Sequence, residues 1–193
     1  MKAILLLSSL IAVNAFSQST QWDLDKSHSS INFGIDHMVI SETVGKFTDY
    51  STEVKADKPD FTDAQFKVIL QVESINTDDA KRDGHLKGAD FFNVEKNPTI
   101  TFVGEKFEKQ KNGQYIVKGK LTMNGVTKNV SLNGKFNGIA KDPWGGTRAG
   151  LKVWGTVDRY DYGLKYNSVL EAGGMTIGKE VRINANLELI KKV

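Results

Sequence analysis

Residues 115–136 read YIVKGKLTMNGVTKNVSLNGKF, and no other stretch limits the possible folds as sharply. Two β-rich runs flank Asn124-Gly125. That dipeptide suits a two-residue type I′ turn, in which both central residues need positive φ. Tyr115–Met123 and Val126–Phe136 are therefore predicted to pair as a long antiparallel hairpin. The same period-2 pattern recurs along the chain. Ser29-Ile31-Phe33-Ile35 alternates with Ser30-Asn32-Gly34-Asp36, Phe66-Val68-Leu70-Val72 with Gln65-Lys67-Ile69-Gln71, and Val181-Ile183-Ala185-Leu187-Leu189 with Arg182-Asn184-Asn186-Glu188. Each reads as a strand with one apolar face. Further strands are expected at Val44–Lys55, Thr99–Phe107 and Arg148–Val157.

Roughly eight long strands with one apolar face each must either stack as two sheets or close on themselves. Closure removes exposed edges and leaves an interior that side chains fill or one small ligand occupies. The fold class read from the pattern is all-β, an eight-stranded antiparallel barrel with a short helix in one connection. That helix is expected over Asp78 to about Lys87. Thr77 would be its N-cap, Asp78 and Asp79 would sit at its positive end, and Gly88 would stop it.

The first residues, MKAILLLSSLIAVNAFSQS, combine Lys2, a short apolar run and small residues before Ala15 and Ser17. This reads as a secretory signal peptide over residues 1–17, too short to span a bilayer. Residues 18–193 then form one domain, large enough to bury roughly 70% of its unfolded surface. The chain has no cysteine, so a disulfide framework is excluded and the fold must rest on its core. Formal charge is +3. Loss of Lys2 with the leader brings it near neutrality, and no basic stripe marks a nucleic-acid surface.

RDGHL, residues 82–86, places Arg82, Asp83 and His85 within four positions. Catalysis is disfavoured. Asp83 and His85 are two apart and diverge on a helix, and no cysteine or G-x-S-x-G elbow supplies a nucleophile. A metal site is disfavoured as well, because His28, His37 and His85 show no ligand spacing. Two readings stay open. In one, Arg82 and Asp83 form a structural pair beside a packed His85; in the other, the cluster lines a pocket and orients a ligand head group. The same ambiguity covers the inward residues Phe33, Ile35, Phe66, Val68, Leu70, Phe102, Leu121, Val130, Leu132, Val153, Ile183 and Leu187, which suit either a filled core or a channel wall. Phe91, Phe92 and Met38 are the residues placed near a mouth. Arg159 and Asp161 are read as a pair beside Tyr160 and Tyr162, which would cover a barrel end or form a structural turn.

Four segments, WDLDKSHSSINFGIDHMVISETVGKF, SINTDDAKRDGHLKGADFFNVEKNPTITF, GKLTMNGVTKNVSLNGKF and TVDRYDYGLKYN, together resemble the YceI-like family of periplasmic polyisoprenoid-binding proteins. The likeness covers nearly all of the mature chain, in the family's order. Gly84 and the KGADFF run depart from what is frequent in relatives. The resemblance implies a lipocalin-like barrel around an elongated apolar channel, holding an isoprenoid, an isoprenoid quinone or a fatty acid or amide. It implies a periplasmic, non-enzymatic protein with no cofactor beyond the bound lipid, transient membrane contact and a homodimer. It favours the channel over the filled core, and so assigns ligand contact to Phe33, Ile35, Met38, Phe66, Val68, Leu70, Arg82, His85, Phe91, Phe92, Phe102, Leu121 and Val153. An enzyme acting on a lipid head group and a filled barrel that binds a partner are the alternatives.

Overall fold

The computed structural model describes residues 19–171 and 173–192; the expected signal peptide lies outside them. One antiparallel sheet contains β1 (Gln21–Leu24), β2 (Ser30–His37), β3 (Ser41–Phe47), β4 (Tyr50–Lys55), β5 (Gln65–Gln71), β6 (Ile75–Asn76), β7 (Thr99–Lys109), β8 (Tyr115–Met123), β9 (Val126–Lys141), β10 (Thr147–Asp158) and β11 (Ile177–Lys191). The helix α1 spans Ala80–Lys87.

Closure runs through β1, which pairs with β4 at Trp22↔Val54 and with β11 at Asp23↔Ile190. Three lines of the wall are each interrupted once. β1 and β2 lie end to end along β11, split by a 3-10 turn at Lys26–His28. β3 and β4 are split at Thr48 and Asp49. β5 and β6 are split by a 3-10 turn at Val72–Ser74. The breaks are stitched to one another. Thr48 N donates to Ser74 O at 3.2 Å, Ser74 Oγ to Asp49 O at 3.2 Å, and the Tyr50 hydroxyl to Ser29 O at 2.8 Å. With β7 to β11, these three broken lines make eight staves, the number the alternation implies. The single strand expected over Val44–Lys55 is thus two strands in one stave. Phe47 and Tyr50 are both buried on either side of the break, so the apolar pattern runs on where the pairing stops.

The hairpin of β8 and β9 has the predicted register, ending at Met123↔Val126. Asn124 and Gly125 have φ of 50° and 73°, as a type I′ turn requires. Inward side chains fall into rows across neighbouring strands. Val68, Phe102 and Leu121 form one row, and Ile31, Ala185 and Val153 another. A slip of one residue would turn every such row to solvent, so the apolar face itself fixes the register.

One end of the barrel is shut. The connection 56–64 carries Phe61, which has no exposed surface. Its ring stacks on Phe136 at 4.8 Å and tilts against Trp22 at 5.0 Å. Trp22 Nε1 donates to Ala56 O, and the Tyr115 hydroxyl donates to Asp60 O. The other end carries the connections 38–40, 77–98, 124–125 and 159–176. Asn124 ties the last three together: its side-chain oxygen accepts from Asn97 Nδ2 at 2.9 Å, and its Nδ2 donates to Tyr162 O at 3.0 Å.

Candidate functional site

Between the plugged end and these connections lies a cavity of about 560 Å³, within the roughly 300–1,000 Å³ usual for small-molecule sites. The barrel is therefore not a filled core. Phe33, Ile35, Phe66, Val68, Leu70, Phe102, Leu121 and Val153 line its wall, and Arg82, His85, Phe91 and Phe92 line its mouth. Met38 is the one residue of the expected set that does not. It sits in the turn 38–40, partly exposed, with φ of 53°. Val130 packs against the core but does not line the cavity.

At the mouth the capping differs from the sequence expectation. Asp79, not Thr77, caps α1, accepting from the amides of Lys81 and Arg82 at 3.0 Å each. This holds the Asp79 carboxyl below its ordinary range, chiefly through the Arg82 amide. Thr77 is buried and serves a different purpose. Its amide and hydroxyl both donate to Asp83 Oδ1, at 2.9 and 2.6 Å. Arg82 Nε donates to the same hydroxyl, and Nη2 to the Thr77 carbonyl, both at 2.7 Å. Arg82 and Asp83 therefore do not pair with each other. Each grips Thr77, which locks the first turn of the helix onto the end of β6.

His85, one helical turn beyond Arg82, stands edge-on to Phe91 at 5.0 Å and to Tyr166 at 4.7 Å. Phe91 and Tyr166 meet at 5.0 Å. His85 Nε2 lies 3.4 Å from Asp90 Oδ2. These three rings bring α1, the connection after it and the 159–176 connection together over the cavity. Both phenylalanines of the Phe91-Phe92 pair are buried, so both fill the apolar opening.

Arg159 does not pair with Asp161 as the sequence suggested. It is 2% exposed, and donates to the carbonyls of Gly178, Leu164, Tyr166 and Ile177. Its guanidinium lies 4.6 Å over the Tyr160 ring. Burial pulls its pKa below the ordinary arginine value. Arg159 thus clamps the 159–166 turn to the start of β11, and it also lines the cavity. Tyr162 is buried at this end, as one reading of the segment had it.

Sequence reasoning missed Arg159, Tyr166, Leu86, Ile100 and Met123 as cavity residues. Ile100 and Met123 continue the alternation of β7 and β8 and were available to it. Tyr166 lies in an aperiodic connection and gave no such signal.

Away from the cavity, Asp25, His28 and Glu188 bring possible metal-ligating atoms within 4.8 Å of one another. Arg148 already fills that role with its own charge. Nη1 donates to Asp25 at 2.5 Å and to Glu188 at 2.6 Å, and Nε to Asp142 at 2.8 Å. Hydrogen bonds from Ser27, His28 and Arg148 hold the Asp25 carboxyl far below its usual range.

The YceI-like domain matches residues 22–189. UPF0312 protein SAS2572 of Staphylococcus aureus is 36% identical over 170 residues, covering 88% of this chain and 96% of that protein. The crystal structure of the Campylobacter jejuni YceI protein is 32% identical with a TM-score of 0.70, covering 88% of this chain and 97% of that one. At 14% identity and a TM-score of 0.64, a polyisoprenoid binding domain from Saccharophagus degradans shares the fold, covering 89% of this chain and 98% of that one.

Proposed function

Because the chain belongs to the YceI-like domain family, we propose that it binds a long-chain isoprenoid or related amphiphile, such as an isoprenoid quinone or a fatty acid or amide, and carries or sequesters it in the barrel interior. The observation that carries this reading is the cavity, apolar along its wall, plugged at one end by Phe61 and bearing its polar groups at the other. The polyisoprenoid binding domain of similar fold agrees with it. The gain comes from removing hydrocarbon from water. At about 0.8 kcal/mol per CH₂, a chain of roughly 15 carbons gains on the order of 10 kcal/mol gross, before the cost of ordering it.

The reading is one of binding, not catalysis. Arg82 and Asp83, the polar pair closest to a reactive constellation, are committed to Thr77, and His85 packs among aromatic rings. In this reading the chain is exported to the periplasm through a cleaved signal peptide, works as a homodimer and touches membranes transiently while loading and unloading. The test is titration of the delipidated protein with prenyl alcohols and fatty acids. Saturable binding at one site per chain is expected. Absence of binding for every long-chain compound sinks the proposal.

A further inference from the structure

The cavity wall is apolar, but its mouth is not electrically neutral. Arg159 is 98% buried, judged by the 2% of its surface left exposed, and its partners are carbonyl dipoles. A buried charge ordinarily has a counter-charge, because carbonyls satisfy its hydrogen bonds without cancelling its field. Arg82 uses two of its five N–H groups on Thr77. Among the described residues the arginine ion pairs belong to Arg148 and Arg182, and neither Arg82 nor Arg159 shares one. Of the nearby carboxylates, Asp36 pairs with Arg182 at 2.8 Å, Asp158, beside Arg159, pairs with Lys179 at 3.5 Å, and Asp90 faces His85; Asp79 caps α1 and Asp83 holds Thr77, with Asp79 in the field of Arg82 but not in an ion pair with it. Lys81 adds a further positive charge to the lining. The two arginines are also mechanically linked. Arg82 and His85 share a face of α1, His85 packs on Tyr166, and the Tyr166 carbonyl accepts from Arg159.

We propose that this mouth is an anion site, and that the amphiphile the barrel holds carries a carboxylate or phosphate head, received by the free N–H groups of Arg82 in the field of Arg159. The inference rests on the lipid-binding reading and narrows it. Neutral isoprenoid alcohols and quinones become poorer ligands than acids of equal chain length. Arg82 is exposed on the helix surface, and Arg82→Gln removes the donor fork together with its two bonds to Thr77, so the ratio of anion to alcohol affinity is the readout.

The experiment compares palmitate, hexadecyl phosphate and hexadecanol on the delipidated wild type and on Arg82→Gln, with inorganic phosphate as a competitor. A hydrogen bond to a charged group implies about a tenfold or greater preference for the two anionic amphiphiles. Arg82→Gln should lower the affinity of the two anionic amphiphiles more than that of hexadecanol, so that most of the preference is lost. Weak competition by inorganic phosphate is expected if the chain anchors the ligand. Displacement by phosphate as effective as that by the amphiphiles would show a free-anion site instead and overturn the proposal. Equal affinity for acid and alcohol, or an equal loss of both in Arg82→Gln, also overturns it while leaving the lipid reading intact. Failure of all three amphiphiles to bind overturns both. Arg159→Lys, checked for folding by circular dichroism, gives a second readout: the anion preference should persist there, reduced.

Discussion

Phe61 gives the sharpest test of how the barrel is closed. It sits in a polar connection, DKPDFTDA, yet it is fully buried between Trp22 and Phe136. It also has φ of 59°, a left-handed conformation that costs a residue with a Cβ roughly 1–2 kcal/mol. Burial of the ring must outweigh that strain. Phe61→Ala removes the ring and keeps the strain, so the loss should be about 3–5 kcal/mol. For a domain of this size, that lowers Tm by roughly 6–20 °C. Phe61→Gly removes both. Elsewhere glycine would be worse than alanine by about 0.5–1 kcal/mol; here it should equal alanine or exceed it by up to about 1 kcal/mol. Urea unfolding followed by tryptophan fluorescence, with Trp22 against the mutated site, measures all three proteins. An alanine variant within about 1 kcal/mol of wild type would refute the plug. A glycine variant clearly less stable than alanine would refute the strain argument.

Ala185 faces the cavity in register with Ile31 and Val153. Ala185→Phe should occupy cavity space and weaken a long-chain ligand about tenfold or more, equal to about 1.4 kcal/mol, while the unliganded Tm holds; fluorescence titration and calorimetry read the two effects. Asn124→Gly keeps the positive φ of the turn but deletes the bonds to Asn97 and Tyr162. It should cost about 1–3 kcal/mol and speed hydrogen exchange in 92–97 and 159–163. The carboxyls of Asp25 and Asp142 are depressed in the folded state, Asp25 through Ser27, His28 and Arg148 and Asp142 through Arg148 first. The unfolded chain therefore binds more protons in acid, and this contribution is complete above about pH 4 and fades as pH falls through the depressed values. Arg148→Met should flatten that acid slope in pH-dependent denaturation; an unchanged slope would remove the network from the account.

The alternation made the staves legible because a wall between cavity and water buries one side of every strand. Tyr115–Met123 and Val126 onward were readable to the residue, since Asn124-Gly125 fixes both the turn and the register. The mid-stave breaks were not. Phe47 and Tyr50 keep the apolar face on either side of Thr48 and Asp49, and the gap is bridged by Ser74, in the 3-10 turn before β6, and Ser29, just before β2. The helix cap was misplaced for a similar reason. Thr77 and Asp79 are both capping residue types, and the choice fell to Asp79 once Arg82 and Asp83 had claimed Thr77. Most of the cavity wall followed from period 2. Tyr166 and the clamp made by Arg159 belong to a connection without periodicity, where carbonyl positions rather than side-chain pattern decide the contacts. Phe61 left a usable trace, a lone aromatic in a run of aspartates, which marks a side chain with somewhere apolar to go.

The central claim is that the interior holds lipid. Gentle purification without detergent, organic extraction and mass spectrometry of the extract test it most directly. The account predicts a long-chain amphiphile near one per chain, depleted in the Ala185→Phe variant. An extract without lipid, from a protein that takes up neither prenyl chains nor fatty acids when they are supplied, would contradict it.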